Sequence, residues 1–306
     1  MMMNVPEQRI SVVVLTYQRC AELTRTLRHL QRLPEQPAII VVDNGASDDT
    51  SQLLQQHFPQ VKLIRARLNC GAAGRNLGAR AAGTRYVAFC DDDTWWQPGC
   101  VARAADLLDR YPQVAAITAR VLVGPRQRED STCRAMQRSP LTTVVPLPGK
   151  PILGLLAGAT AFRTDAFLAA GGYQPHFFLG GEETLLALDL AAAGWALTYV
   201  PELTVVHWPS PLRDSGARQR LLSRNAMWTA WLRLPAGVAW RHTVRTMPEL
   251  WRVAGAAGCW QALCGWRWIW RQRRVLPPSV EAMRRQLEDW QHDTQQIKRP
   301  MLYHRH

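Results

Sequence analysis

Three adjacent acids, Asp91-Asp92-Asp93, follow the apolar run Tyr86 to Cys90 and precede Trp95-Trp96. On an extended chain, two carboxylates one residue apart point to the same side. Oxygens placed in that way suit a hard divalent cation, Mg²⁺ or Mn²⁺, which keeps its other positions for water and phosphate. Without a cation, three like charges need a solvated turn; a buried strand just before them favours the metal. Asp43 closes a second apolar run, Ile39 to Val42, where a carboxylate can accept from a ribose hydroxyl or a base N–H, although Asp-Asn-Gly is equally good turn chemistry. Asn69-Cys-Gly-Ala-Ala-Gly-Arg75-Asn76 opens a helix with small residues and an arginine. A helix N-terminus and a guanidinium both favour phosphate, while the same glycines suit close helix–sheet packing. Gly180-Gly181-Glu182-Glu183 stands at another helix start. Its acids are either ordinary partners of the helix dipole or supply a general base for an acceptor hydroxyl. His207, after Val205-Val206, is a late metal ligand or a structural histidine at a strand end.

The elements that must position these residues alternate in type. Ile10 to Leu15, Ile39 to Val42, Val61 to Ile64 and Tyr86 to Cys90 read as short apolar strands. Between them, Ala21 to Leu33, a segment through Leu53-Leu54 and Gly71 to Ala82 carry helical spacing or helix-start signals. Strand–helix alternation predicts a parallel, doubly wound sheet, whose ligands sit beyond the carboxyl ends of its strands. Thr16, Asp43 and the Asp91–Asp93 run all fall there. Gly124 to Lys150 reads as an excursion rich in Arg, Pro, Ser and Thr; order resumes near Ile152 to Leu156. A helix over Glu183 to Ala193, strands at Ala196–Val200 and Thr204–His207, and a mostly helical remainder from about Asp214 complete the chain.

At 306 residues and 47% hydrophobic, the chain can bury a large core. Seven cysteines without CxxC pairs favour reduced thiols over a disulfide framework or a zinc knuckle. No leader is read at the start, and the longest apolar stretches are too short to cross a bilayer, so the cytoplasm is the expected compartment. The net charge of +13 implies an anionic partner. From Trp231 onward there are thirteen Lys/Arg against five Asp/Glu, together with eight of the 13 tryptophans. Such a helix can lie in an anionic headgroup layer or pack as a cap. No nucleic-acid motif accompanies the charge, which argues against nucleic acid as the partner. No G-x-G-x-x-G appears, against a dinucleotide oxidoreductase. Thr16-Tyr-Gln-Arg19 lacks the glycines of a sugar-phosphate nucleotidyltransferase loop, which weakens that alternative.

In order, Ser11 to Tyr17, Val41 to Asp49, Asn69-x-Gly-x-x-Gly-Arg-Asn-x-Gly78, Phe89 to Asp93, Gly181-Glu-Glu183 with Ala193-Gly-Trp195, and Val206-His207 resemble the family-2 glycosyltransferases. The resemblance covers roughly residues 9 to 235. It implies a GT-A-type α/β fold: a doubly wound mixed sheet flanked by helices, here with a helical C-terminal extension. It implies a transferase domain over 1–230, with a nucleotide-binding half at about 9–124 and an acceptor half at about 150–210, then a basic Trp-rich extension over 231–306. Thr16, Tyr17, Arg19, Asp43, Arg75, Asp91 and Asp92 would line the nucleotide. Asp93, Asp91 and His207 would hold the divalent metal, and Glu183, with Glu182 beside it, would be the catalytic base. The implied reaction is an inverting hexosyl or deoxyhexosyl transfer from a nucleotide-diphosphate sugar to a glycan or lipid-linked acceptor in bacterial surface-glycan synthesis. The implied location is the cytoplasm or the inner face of its membrane. Two departures stand out. Glu183 replaces the more usual aspartate, and Leu185 stands where a further acid is common, so an inactive nucleotide-binding relative is the alternative. The Gln-x-x-Arg-Trp signature of processive synthases is absent.

Overall fold

The computed structural model describes residues 8–45, 48–210 and 215–298. Met1 to Glu7, read above as free of a leader, and Ala46-Ser47 of the second motif lie outside those residues.

Four parallel strands form the first half of the sheet: β1 (Ile10–Thr16), β2 (Ala38–Asp43), β3 (Lys62–Arg65) and β4 (Tyr86–Asp91), in the order β3-β2-β1-β4. The β-branched centres of β1 and β2, Val12 to Val14 and Val41-Val42, are completely buried, as expected for strands covered on both faces, whereas edge strand β3 is partly exposed. α1 (Cys20–Leu30), α2 (Thr50–His57) and α3 (Gly74–Ala81) make the crossovers. α1 earns its place by periodicity: Leu23, Leu27 and Leu30 bury one stripe while arginines hold the other.

Beyond β4 the sheet becomes mixed. β5 (Thr94–Trp96), α4 (Cys100–Arg110), β6 (Val114–Val123), β7 (Arg128–Glu129), α5 (Ser131–Gln137), β8 (Lys150–Pro151), β9 (Thr160–Arg163), α6 (Thr164–Ala169), α7 (Glu182–Ala192) and β10 (Ala196–His207) follow in the chain. The full order is β3-β2-β1-β4-β9-β6-β10-β5, with β7 on β6 and β8 on β10. β9 inserts antiparallel between β4 and β6, and β6 runs parallel to β10. The two late strands expected from the sequence are one, bent by a register shift between Val200 and Thr204. The Gly124–Lys150 excursion contains β7 and α5.

The helical remainder comprises α8 (Ser215–Arg233), α9 (Ala236–Cys264), α10 (Trp266–Gln272) and α11 (Pro278–Lys298). α9 is broken at Gly255, whose φ of 59° and ψ of −158° are open only to glycine at low cost. Among the described residues, no helix is long and apolar enough to cross a membrane. α8 is bolted to α7: Arg233 pairs with both carboxylate oxygens of Asp189, Nη2 to Oδ2 at 2.8 Å. Leu188, Ala230, Leu234, Ala239, Leu276 and Val280 close a second core over this junction.

Helix α3 sits unusually close to the sheet because Gly78 has no side chain. A Cβ there would stand 2.3 Å from Val13 Cγ1 and 3.1 Å from Val42 Cγ2. Gly78→Val is therefore expected to destabilise the protein by about 1–3 kcal/mol through overpacking, seen as a lower midpoint in thermal or urea unfolding. An unchanged midpoint would mean that α3 can shift freely.

Candidate active site

The parallel register brings the strand ends to one edge. Thr16 pairs with Asp43 across β1 and β2, and Leu15 pairs with Asp91 across β1 and β4. Thr16 and Asp43 are buried, whereas Tyr17 is exposed. Arg65 Nε, from β3, lies 3.5 Å from Asp43 Oδ2. Asn44 Oδ1 accepts from Cys70 N at 3.0 Å, and its Nδ2 donates to Asn69 Oδ1 and Gly71 O, both at 2.9 Å. The loop after β2 is thereby tied to the loop before α3.

The acid triplet departs from the sequence expectation. β4 ends at Asp91, and residues 92 and 93 form the turn into β5. The extended-chain rule that would point Asp91 and Asp93 to one side does not apply to a turn, and the three carboxylates take three directions. Asp91 pairs with Arg75. Asp92 turns inward, accepting from Thr16 Oγ1 and Arg19 Nη1, each at 3.1 Å. Burial pushes its pKa up to about 7; Arg19 works against the shift while Asp93 and Asp91 add to it. Asp93, only 1% exposed, meets His207, with Oδ1 and Nε2 3.6 Å apart, and its Oδ2 accepts from Ser210 N at 3.2 Å. β10 delivers that histidine: antiparallel pairing sets His207 opposite Thr94, and Trp208 N donates to Asp93 O at 2.8 Å.

Among the described residues no cluster of three or more His, Cys, Asp and Glu side chains is arranged for a metal. Asp91 does not join Asp93 and His207, because the turn separates it from them. A buried carboxylate with an imidazole nitrogen close by nevertheless fits a small divalent ion that completes its shell from water and a substrate phosphate.

A second charge cluster lies around Arg75. Burial opposes its charge, but Asp91, Tyr173 and Glu182 outweigh burial and raise its pKa. The guanidinium carbon is 5.8 Å from the Tyr173 ring centre. Glu182 and Glu183 begin α7 after Gly181, whose φ is +84°. Burial raises the pKa of Glu182, while Arg75 acts to lower it. Glu183 rises to about 7, from burial first and the Glu182 charge second; an N–H from Ala157 and the charge of Arg75 pull the other way. Ala157 N donates to Glu183 Oε1 at 2.5 Å. The same turn presses on Asp91, since a Cβ on Gly158 would lie 2.8 Å from Asp91 Oδ2. Asp91, Arg75, Glu182 and Glu183 are thus one electrostatic unit.

The glycine-rich segment packs closely against the rest of the fold. Ala72 N donates to Phe178 O at 2.7 Å, so that amide faces protein. A Cβ on Gly71 would overlap Phe178 O at 1.9 Å, and one on Gly74 would lie 2.6 Å from Leu15.

Sequence reasoning missed two asparagines that set this geometry. Asn76 clamps Tyr173 in both directions, accepting from its N at 2.9 Å and donating to its O at 2.8 Å. It stands in the Asn69-to-Gly78 motif, but no role was read for it there. Asn225, wholly buried on α8, donates through Nδ2 to Gly180 O at 2.6 Å and Phe177 O at 2.9 Å. A lone amide among apolar helix residues could have marked it. Leu185 packs with Phe177, Trp228, Leu232 and Ile269, so the position where the resemblance expects an acid is core.

Comparison with known proteins agrees with this architecture. Residues 11–169 match the profile of glycosyl transferase family 2. The N-acetylglucosaminyl-diphospho-decaprenol L-rhamnosyltransferase of Mycobacterium tuberculosis is 28% identical over 231 residues, 65% of this chain and 75% of that protein. The Pre-mycofactocin glycosyltransferase of the same organism is 26% identical over 258 residues, 81% of this chain and 51% of its own. Among solved structures, GalNAc-T7 with UDP, GalNAc and Mn²⁺ superposes with a TM-score of 0.59 at 15% identity, over 80% of this chain and 50% of that one. This chain therefore spans half the length of GalNAc-T7. S. aureus TarS 1-349 in complex with UDP-GlcNAc gives 0.58 at 15% identity, covering 90% and 83%. With its strand ends, its acidic turn and its paired glutamates in this arrangement, the chain belongs to glycosyl transferase family 2 and has the GT-A fold.

Proposed function

We propose that the protein transfers a sugar from a nucleoside-diphosphate donor to an acceptor hydroxyl in one displacement that inverts the anomeric carbon. The observation that carries this reading is Glu183: a carboxylate with its pKa raised to about 7, beside the strand-end acids and the Arg75 charge. A group poised near neutrality can accept a proton as a nucleophile forms and still be ionised beforehand. In the proposed step, Glu183 takes the acceptor hydroxyl proton, the oxygen bonds to the anomeric carbon, and the bond from that carbon to the diphosphate breaks. Arg75 keeps Asp91 and the glutamates in register.

The donor lies, in this reading, along the edge made by Thr16, Tyr17, Arg19, Asp43 and Asp91, with Asp92 supporting Thr16 and Arg19 from below. Asp93 and His207 would hold a divalent cation, Mg²⁺ or Mn²⁺, whose charge offsets that developing on the leaving diphosphate. Structural relatives bound to UDP, UDP-GlcNAc or GDP-Man, two of them with Mn²⁺, support a nucleotide-sugar donor and a metal. The mycobacterial rhamnosyltransferase is named for a diphospho-decaprenol acceptor, which supports a lipid-linked acceptor and a role in surface-glycan synthesis at the cytoplasmic face of a membrane. Residues of about 9–124 serve the donor, about 150–210 the acceptor side, and the helices from 231 form the basic extension.

Three outcomes test this. Glu183→Gln keeps the acceptor for Ala157 N–H and should lower turnover by about 10²–10⁴-fold while leaving nucleotide binding intact; full activity would exclude Glu183 as the base. Because its folded pKa is raised, Glu183 is protonated at low pH and active above. The rate should climb tenfold per pH unit below about 7 and level off beyond it, with the slope absent in the Gln variant. Finally, a thermal-shift screen of UDP, dTDP, GDP and CMP with and without Mn²⁺ or Mg²⁺ should find one nucleotide that stabilises only with metal, and Asp93→Ala should abolish that shift. No stabilisation by any of them would overturn the donor site, and metal-dependent stabilisation without sugar transfer would point to the inactive-relative alternative.

A further inference from the structure

Helices α8 and α9 part beside the loop that leads into Glu182 and Glu183, leaving a cleft of about 350 Å³. That volume is at the small end of ligand sites. Its lining has two kinds of chemistry. Phe178, Leu221, Leu250 and Ala257 give an apolar wall, and Arg220 and Arg224 give two guanidiniums. Four residues apart on α8, the arginines share a face. Neither pairs with an acidic side chain among the described residues; Arg224 instead donates to Phe177 O at 3.1 Å and stacks 4.2 Å from the Trp228 ring centre. Two like charges held beside an apolar wall suit an anion with a hydrocarbon tail.

The cleft touches the candidate active site through its own residues. Phe178 lines it, and the Phe178 carbonyl takes the Ala72 N–H at the start of the Arg75 segment. Leu222, the neighbour of the lining residue Leu221, lies so near Gly180 that a Cβ there would stand 2.8 Å from its Cδ2. On the outer side, α9 carries Trp251 and Trp260, 61% and 68% exposed, next to the lining residues Leu250 and Gln261. Exposed tryptophans of this kind rest at the level of lipid headgroups, and Arg252 and Arg267 share this stretch of chain.

We propose that the α8–α9 cleft seats the diphosphate and first prenyl units of a polyprenyl-diphosphate-linked acceptor, with the arginines on the diphosphate and the hydrocarbon against the apolar wall. The inference rests on the lipid-linked acceptor reading above and names the residues that would recognise that acceptor. A phospholipid surface alone would engage the tryptophans and the outer arginines without needing the cleft, and a free phosphate would not need the apolar wall.

The test titrates the full chain with farnesyl diphosphate, inorganic pyrophosphate and farnesol by calorimetry, beside Arg220→Glu and Ala257→Phe. Farnesyl diphosphate should bind saturably and compete poorly with UDP, while pyrophosphate and farnesol should each bind at least about tenfold more weakly. Reversing one charge, or filling the wall, should each weaken it by on the order of tenfold or more. Metal-dependent stabilisation by nucleotide in both variants serves as the control for folding. Pyrophosphate binding as tightly as farnesyl diphosphate, affinity unchanged in both variants, or no binding at all would overturn the proposal. If nucleotide stabilises none of the proteins, the donor reading fails instead, and the farnesyl diphosphate titration still decides the cleft by itself.

Discussion

Five carboxylates, Asp91, Asp92, Asp93, Glu182 and Glu183, gather at the carboxyl edge of one sheet, and the fold must compensate their charge. Buried like charges in a weakly screened site cannot all ionise freely. Two arginines from different elements carry most of the burden: Arg19 faces Asp92 and Asp93, and Arg75 faces Asp91 with the glutamates behind it. Each placement depends on backbone elsewhere. Arg75 reaches its position because α3 rides close on β1, which Gly74 and Gly78 permit by lacking side chains. Asn76, the next residue, fixes Tyr173 under the same guanidinium. The compensation is uneven: Asp91 holds a direct ion pair, whereas Glu183 has an amide and a more distant charge, and burial with the Glu182 charge raises its pKa.

How much of this the sequence disclosed depends on whether a feature was local. Strands β1 and β2 and their polar ends were legible, because a β-branched run followed by Thr or Asp is a local pattern with one structural consequence. The antiparallel insertion of β9 was not, since a four-residue strand carries too little periodicity and its pairing with β4 and β6 is a property of the whole sheet. The acid triplet misled through a local rule applied one residue too far: the alternation of side chains ends where the strand ends, at Asp91. The glycine-rich motif had two meanings that composition could not separate, and its packing partner, the carbonyl of Phe178, lies over a hundred residues away.

The helical extension shows the same limit in reverse. Its basic, tryptophan-rich composition suggested one surface with one role, yet the tryptophans divide. Trp268 packs with Phe177 and with Trp228 of helix α8, while Trp240, Trp251 and Trp260 stay exposed. The buried set belongs to the mechanism of positioning. Asn225 and Arg224 on α8 hold the carbonyls of residues 177 and 180, the last turn before the glutamates. Leu185, placed where the family resemblance expects an acid, is one of the apolar contacts that seat α7 on those helices. A carboxylate there would lie in a hydrophobic cluster with no cation among its core members, costing several kcal/mol unless it took up a proton. Leu185 and the helices it meets therefore act together: the side chain at position 185 is an apolar joint that fixes the loop before the glutamates from the outside.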